Sequence, residues 1–176
     1  MNDSLKKIRV IVSDVDGVLT DGVIRLVGDD ELKAFCGKDA PRIASWLRAG
    51  GKMTLFTARK CTAVERRAQE LKIDLLYKPD LKESKRDLFD VVREKYDASP
   101  EEILYMGDDW SDLHYQKRCG VAVVPADGSD ENKKLAHIVT KALGGQGVAA
   151  EAIELVMRAQ GTWDTHVEKY LAELTY

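Results

Sequence analysis

Two groups of acidic residues each follow an apolar run in the sequence. The first is Asp14 and Asp16, directly after the run 8–13. The second follows the run 103–106 and consists of Asp108, Asp109 and Asp112. Carboxylates held close together repel one another unless a cation lies between them, and oxygen ligands favour Mg²⁺ or Ca²⁺. Because Mg²⁺ is commonly held by one or two carboxylates together with substrate phosphate oxygens, the pattern indicates phosphate chemistry.

Two other interpretations of Asp14 and Asp16 are weaker. A calcium loop of the helix–loop–helix type needs Glu at its twelfth position, where this sequence has Arg25, and it does not follow a strand. The two acids could also simply begin a turn, which would be the better interpretation of an isolated Asp-x-Asp. Further polar residues that are predicted to lie nearby favour the metal site.

The acidic residues are predicted to lie at one edge of a parallel sheet. The run 8–13 is short, apolar and rich in β-branched residues, which is typical of a central strand covered on both faces. Further strands are predicted at 53–57, 73–77, 103–106, 121–124 and 137–139. Helices are predicted at 39–50, with Asp39 as N-cap, at 61–71 and 88–96, and from Gly147 to beyond Gly161. This alternation predicts an α/β fold, a doubly wound Rossmann-like parallel sheet whose ligands bind at the carboxyl ends of the strands.

Two more polar residues and a hairpin are predicted near the acidic residues. Thr57 ends the strand 53–57, and Lys85 lies shortly before the helix 88–96. A β-hairpin is predicted at 23–35, because a turn-forming cluster from Gly28 to Asp30 separates two strand-like runs. All three features are expected at the edge of the sheet that carries the carboxylates.

The composition predicts one domain over residues 1–176, with a carboxy-terminal helix or tail from about residue 148. The formal net charge of −3 and the interspersed charges argue against a nucleic-acid partner. Cys36, Cys61 and Cys119 are widely spaced, which argues against a disulfide framework or a zinc site and favours a reducing compartment. No run reaches membrane-spanning length and no signal peptide is recognised, so we expect a cytoplasmic protein with no membrane partner.

In their order along the chain, these polar groups resemble the haloacid dehalogenase (HAD) superfamily of phosphatases. That superfamily has Asp-x-Asp-Gly after its first strand, Ser or Thr after its second, Lys at a helix start and an acidic Gly-Asp-Asp-x-x-Asp. This chain has the four motifs at 14–17, 57, 85 and 107–112. One motif alone would be weak evidence, but four in order over most of the chain are specific.

The resemblance implies a phosphomonoesterase that works through a covalent intermediate. Asp14 would attack phosphorus to form an aspartyl-phosphate, and Asp16 would protonate the leaving group and then activate water. Thr57 and Lys85 would bind the phosphoryl oxygens. Lys78 and Lys82 also lie near the helix start, and Lys78-Pro79 resembles a version found in some branches. The separation of Lys85 from the second acidic group matches related phosphatases better.

The resemblance also implies Mg²⁺ as the cofactor. Its ligands would be Asp14, the backbone carbonyl of Asp16, and Asp108. Asp109 and Asp112 would support this site, and Asp112 would orient Lys85 or the water molecules on the metal.

One branch of the superfamily fits best. The gap between Asp16 and Thr57 is too short for a cap domain of the usual size. With the motif 14–22, the hairpin and the glycine-rich segment 144–147, this resembles the capless sugar-acid phosphatases typified by the 3-deoxy-D-manno-octulosonate 8-phosphate (KDO 8-P) phosphatases of lipopolysaccharide biosynthesis. The branch implies a homotetramer that hydrolyses KDO 8-P to KDO and phosphate. The alternative substrates are 2-keto-3-deoxynononate 9-phosphate or another sugar phosphate.

The resemblance places substrate-binding residues at Thr20, Lys33, Ala58 and Arg59. Arg59 matches an arginine of the KDO 8-P branch where the 2-keto-3-deoxynononate 9-phosphate enzymes have glutamate, and a guanidinium can bind a sugar-acid carboxylate bidentately. An exposed arginine at a helix start is the plainer interpretation. The chain departs from the pattern of the branch at positions where substrate would be recognised, namely Ala40, Arg42, Ala58 and Ala150.

Two functions of other classes share part of this pattern. A receiver-type signalling domain also combines Mg²⁺, a phosphorylated Asp, Thr and Lys on a parallel sheet. Its phosphorylated Asp, however, follows a separate acidic pair, whereas here the candidate nucleophile lies within the first pair. A catalytically idle subunit that serves as an interaction module is disfavoured because the residues that would act on phosphate are all present.

Overall fold

The computed structural model describes residues 2–77 and 87–173. Its strands are β1 (Val10–Asp14), β2 (Leu26–Val27), β3 (Asp30–Glu31), β4 (Lys52–Thr57), β5 (Asp74–Tyr77), β6 (Ile103–Met106), β7 (Val121–Val124) and β8 (Ile138–Val139). Six of them form a parallel sheet in the order β5-β4-β1-β6-β7-β8, and β2 pairs only with β3. The first strand therefore lies between β4 and β6, as its largely apolar sequence predicts.

Helices cover both faces of this sheet. They are α1 (Asn2–Lys7), α2 (Asp39–Arg48), α3 (Thr62–Leu71), α4 (Leu88–Tyr96), α5 (Leu113–Gln116), α6 (Asp130–Leu135), α7 (Val148–Ala159) and α8 (Trp163–Glu173). Alternation along β1 separates two cores. Ile11 packs in the core shared with α1, α2, α3 and α7, whereas Val10 and Val12 pack in the core shared with α4. The predicted doubly wound α/β fold is confirmed.

The predicted hairpin is present, but its ladder is shorter than the runs 23–27 and 31–35 indicate. Leu26 faces Glu31 and Val27 faces Asp30, with Gly28 at a φ of +60° in the turn between them. Most of its apolar side chains are exposed, so little packing stabilises a longer ladder. The large side chains left exposed are Val23, Ile24, Leu26, Val27 and Leu32. Between β1 and β4, the described chain forms only this hairpin and α2, which leaves no room for a cap domain.

Three other details differ from the sequence-based expectations. The helix predicted to run past Gly161 stops at Ala159, because Gly161 takes a φ of +70° and α8 begins afresh at Trp163. The short helices α1, α5 and α6 were not expected. Asp39 is the first residue of α2 and not its N-cap, which is Lys38. Every helix in the described ranges is too short or too polar to cross a bilayer.

Asp39 instead links two helices of the same face. Its buried carboxylate accepts a hydrogen bond from the backbone N–H of Ala150 at 2.8 Å, at the start of α7. Burial raises the pKa of this carboxyl, and the Ala150 N–H opposes that effect. The contact fixes α2 against α7, and this helix pair covers the sheet beneath the site.

Candidate active site

The sheet brings the two acidic groups and Thr57 to one edge. Asp14 is the last residue of β1, Thr57 is the last residue of β4, and Asp108 follows β6. Since β4 and β6 are the two neighbours of β1 and all three run parallel, their carboxyl ends lie side by side. The prediction that these residues share one edge is confirmed.

A cluster of carboxylates lies at this edge. Oxygen atoms of Asp14, Asp108 and Asp112 all lie within 4.8 Å of one another. Asp14 and Asp112 are buried, so their charges would repel strongly in a medium of low polarity unless a cation compensates them. A set made only of oxygen donors suits Mg²⁺. The residues present therefore fit the predicted metal.

Gly17 lets Asp108 reach this cluster. A Cβ atom built on Gly17 would lie 2.0 Å from Oδ2 of Asp108, and Gly17 has a φ of +93°. Both the space and the backbone conformation require glycine at this position. The Gly that follows Asp-x-Asp is thus a packing requirement of the metal site.

Asp112 holds the acidic loop in place. Its Oδ1 accepts a hydrogen bond from the Tyr105 hydroxyl at 2.7 Å, and its Oδ2 accepts from the backbone N–H groups of Asp108 at 3.0 Å and Asp109 at 3.3 Å. Burial raises the pKa of Tyr105 well above its usual value, and the negative charges of Asp112 and Asp14 add to this effect. Tyr105 therefore remains a neutral donor. Asp112 therefore orients the loop that carries Asp108. Its predicted role in orienting Lys85 stays a prediction, since Lys85 lies outside the described residues.

A second buried network supports the same loop and was missed by the sequence reasoning. Gln116 donates from Nε2 to the carbonyl of Gly107 at 3.1 Å, and Asn132 donates from Nδ2 to the carbonyl of Asp109 at 2.7 Å. The two amides are joined by a further bond from Asn132 Nδ2 to Gln116 Oε1 at 3.1 Å. The N–H of Ser129 donates to the carbonyl of Asp108 at 2.8 Å. Three carbonyls of the loop are thereby fixed by α5 and the start of α6.

Asp16 is held by two of the predicted substrate-binding residues. Its Oδ1 accepts from the Thr20 hydroxyl at 3.3 Å and forms a short contact with the Lys33 ammonium. The side chain of Lys33 is only 1% exposed, yet it lies in the loop after β3. Burial alone would lower the pKa of Lys33, but the adjacent carboxylates of Asp16 and Glu31 raise it. Lys33 is therefore a charged partner of the proposed acid.

Arg59 is paired with Glu31, a residue that sequence reasoning did not select. Oε1 of Glu31 accepts from Nε of Arg59 at 2.5 Å and also contacts Nη2. Oε2 of Glu31 lies 2.8 Å from the Lys33 ammonium. Hydrogen bonds from Arg59 and then Lys33 lower the pKa of Glu31, so it is ionised. The spacing of Glu31 and Lys33, two residues apart in a strand-like run, is the signal that would have placed them together.

Of the remaining predicted site residues, Thr57 and Ala58 are among those that the structure describes, and Lys85 is not. The Thr57 hydroxyl oxygen accepts from the backbone N–H of Arg59 at 3.2 Å, and Ala58 lies exposed between them at the same edge. Lys85, together with the alternatives Lys78 and Lys82, lies outside the described residues.

The sequence and the fold of this chain are similar to those of known phosphatases. Over 160 residues, the chain is 35% identical to the 3-deoxy-D-manno-octulosonate 8-phosphate phosphatase KdsC of Escherichia coli strain K12, covering 90% of this chain and 84% of that protein. The crystal structure of the phosphatase of the same name from Moraxella catarrhalis, in complex with magnesium, phosphate and KDO, is similar with a TM-score of 0.88 at 26% identity, covering 96% of this chain and 97% of that one. A hydrolase assigned to the HAD superfamily from Legionella pneumophila has the same TM-score and identity, with 97% and 93% covered. No family model matches the chain.

Proposed function

The chain belongs to the family of 3-deoxy-D-manno-octulosonate 8-phosphate phosphatases, within the HAD superfamily, and we propose that it hydrolyses KDO 8-P to KDO and inorganic phosphate. The observation that carries this proposal is the carboxylate cluster of Asp14, Asp108 and Asp112 beside the paired acid Asp16. A cluster of carboxylates accepts a phosphate dianion when a divalent cation lies between them, and Asp14 and Asp16 offer a nucleophile and an acid two residues apart.

Asp14, Asp108 and the backbone carbonyl of Asp16 are proposed to hold Mg²⁺, which supplies Lewis-acid stabilisation of a phosphoryl oxygen when bound. In the first step, an Asp14 carboxylate oxygen forms a bond to phosphorus while the bond from phosphorus to the sugar oxygen breaks. Asp16 gives a proton to the departing alkoxide. In the second step, Asp16 takes a proton from water, and the water oxygen forms a bond to phosphorus while the bond from phosphorus to Asp14 breaks. Inorganic phosphate is released and the Asp14 carboxylate is restored.

Residues of the neighbouring strands and loops support both steps. Thr57 and Lys85 are proposed to bind the equatorial phosphoryl oxygens. Lys33 contacts Asp16, and Thr20 donates to it, so the acid is fixed near the cluster. Proton transfer depends strongly on such positioning, because it requires the acid to lie within hydrogen-bond reach of the leaving oxygen.

The sugar-acid end of the substrate is proposed to lie toward Arg59. Its side chain is 44% exposed at the edge of the site, and its guanidinium, which is always charged, is paired with Glu31. A guanidinium favours a carboxylate-bearing sugar phosphate over a neutral one. This feature supports KDO 8-P over 2-keto-3-deoxynononate 9-phosphate, since the enzymes acting on the latter carry glutamate where this chain has Arg59.

The working form is proposed to be a homotetramer in the cytoplasm, placed in lipopolysaccharide biosynthesis. The hairpin exposes Leu26 at 74% and Val27 at 62%, an apolar surface beside the site that a neighbouring subunit would bury. Phosphoryl transfer gains from excluding water, and the described part of one subunit has no cap domain over the site. The cysteines are free, which suits a reducing compartment.

A panel of sugar phosphates assayed by release of inorganic phosphate, with Mg²⁺ or with a chelator, tests the proposal. We expect Mg²⁺-dependent release from KDO 8-P at a higher kcat/KM than from 2-keto-3-deoxynononate 9-phosphate or neutral sugar phosphates. Equal rates across the panel would contradict the substrate. Phosphate release that persists in chelator, or no release from any member, would contradict the reaction itself.

A further inference from the structure

The proposed acid Asp16 and the proposed substrate-binding residue Arg59 are the two ends of a row of four side chains of alternating charge. Asp16 contacts the Lys33 ammonium, which lies 2.8 Å from Oε2 of Glu31, and Oε1 of Glu31 accepts from Nε and Nη2 of Arg59. The side chains of Lys33 and Glu31 are 1% and 9% exposed. Glu31 is thus the carboxylate between two cations, the buried Lys33 and the partly exposed Arg59.

We propose that Glu31 is a positioning residue for substrate recognition, which fixes Arg59 so that it receives the carboxylate end of the sugar acid and holds Lys33 against Asp16. This inference rests on the proposed function. Glu31 acts through Arg59 and Lys33 and does not itself touch the substrate.

The geometry at Arg59 supports this role. Glu31 uses the edge of the guanidinium formed by Nε and Nη2, so the plane of the group is fixed and its Nη1 side is directed away from Glu31. A long side chain that is 44% exposed would otherwise lose rotamer entropy each time it bound a ligand. Fixing it beforehand increases affinity for a carboxylate, because that entropy is lost on folding and not on binding.

The geometry at Lys33 points the same way. Its buried ammonium has Asp16 on one side and Glu31 on the other. Oε2 of Glu31 is buried 2.8 Å from this ammonium, so the charge of Lys33 compensates the burial of that oxygen. Among the described residues, removing the Glu31 charge would leave Asp16 as the carboxylate in contact with Lys33.

Another role for Glu31 predicts the opposite effect. In this role the Glu31 carboxylate on Arg59 would compete with the substrate carboxylate for the guanidinium. Its removal would then strengthen binding of the sugar acid and lower KM. The direction of the change in KM therefore separates positioning from competition.

The test compares Glu31→Gln, which keeps the shape and removes the charge, with Glu31→Asp, which keeps the charge on a shorter side chain. KM and kcat are measured with KDO 8-P and with an aryl phosphate that has no carboxylate. The matched control is Glu154→Gln, since Glu154 also pairs with an arginine, Arg158 at 2.8 Å, on α7 and away from the site. Circular dichroism and thermal melting verify that each variant is folded.

We expect Glu31→Gln to lower kcat/KM for KDO 8-P by about 10- to 100-fold, mainly through a higher KM, as for loss of a hydrogen bond to a charged group. The aryl phosphate should lose a smaller factor, Glu31→Asp should recover part of the loss, and Glu154→Gln should behave as the wild type. In an Arg59→Ala background, Glu31→Gln should cost little further discrimination, because the two residues act together.

A lower KM for KDO 8-P in Glu31→Gln would overturn the proposal in favour of competition. Equal losses on both substrates, or full additivity with Arg59→Ala, would show that Glu31 only stabilises the fold. The wild type itself tests the proposed function separately. If it hydrolyses the aryl phosphate and not KDO 8-P, the proposed substrate and the role of Glu31 are both wrong, whereas a defect confined to the variants concerns Glu31 alone.

Discussion

Gly17→Ala should damage the metal site far more than it destabilises the fold. The added Cβ would lie 2.0 Å from Oδ2 and 2.4 Å from Cγ of Asp108, distances that the two groups cannot tolerate. Since Gly17 follows the acid Asp16 and its backbone approaches the metal ligands, relief of this contact requires Asp108 to move by more than 1 Å. The variant therefore tests whether Asp108 must occupy its observed position.

The magnitude has two separable parts. A side chain at a φ of +93° costs about 1–2 kcal/mol of stability. The displacement of Asp108 should lower kcat/KM by about 100-fold, the loss typical of a 1 Å misplacement at a reacting centre. Gly50→Ala is the matched control, because Gly50 has a φ of +92° but no atom within 4 Å of the added Cβ.

Both variants are assayed for thermal unfolding and for phosphate release as a function of Mg²⁺ concentration. We expect similar losses of stability in the two, with a lower kcat/KM and a higher Mg²⁺ concentration for half-maximal activity in Gly17→Ala alone. Near-normal activity and Mg²⁺ affinity in Gly17→Ala would refute the reasoning that Asp108 binds the metal from this position. A comparable loss of activity in Gly50→Ala would show that backbone strain, and not the contact, is responsible.

Three further predictions concern the loop, the phosphate and the assembly. Asn132→Ala should weaken Mg²⁺ binding about tenfold, as do changes at other residues that orient metal ligands. The reason is that a carbonyl of the acidic loop loses its donor. An unchanged Mg²⁺ titration would contradict this prediction. Lys85→Ala should lower activity on every phosphate substrate by a similar factor, whereas Arg59→Ala should penalise sugar acids selectively, as measured by kcat/KM on both classes. Deletion of the residues after Gly161 should reduce the oligomer seen by sedimentation at assay concentration, and a wild-type monomer with full discrimination between substrates would argue against the proposed tetramer.

The fold and the metal cluster could be predicted because their signals are local. Each acidic group directly follows a short apolar strand, and parallel strands place their carboxyl ends at the same edge of the sheet. The strand order therefore places Asp14 and Asp108 at the same edge of the sheet. Lys85 remains a prediction, since it lies outside the described residues.

The support of the site could not be predicted in the same way. Asn132 and Gln116 are polar residues that a sequence pattern assigns to surface helices, yet both are buried because distant segments bring the carbonyls of the acidic loop to them. The length of the hairpin ladder was overestimated because most of the apolar side chains in its two runs are exposed, although Phe35 packs against the core. Glu31 was not selected because its contact with Arg59 joins residues 28 positions apart and arises only when the fold brings the hairpin to the segment after β4.

Trapping of the phosphoenzyme tests most directly the claim that this site works through Asp14. Folded wild type, Asp14→Asn and Asp16→Asn are mixed with Mg²⁺ and an aryl phosphate, quenched in acid and mapped by mass spectrometry. An aryl leaving group needs little protonation, so Asp16→Asn should form the intermediate and hydrolyse it slowly. We predict a phosphate on Asp14 that accumulates in Asp16→Asn and is absent in Asp14→Asn, which should also lack turnover. Turnover at the wild-type rate in Asp14→Asn, or a phosphate attached to another residue, would contradict the account.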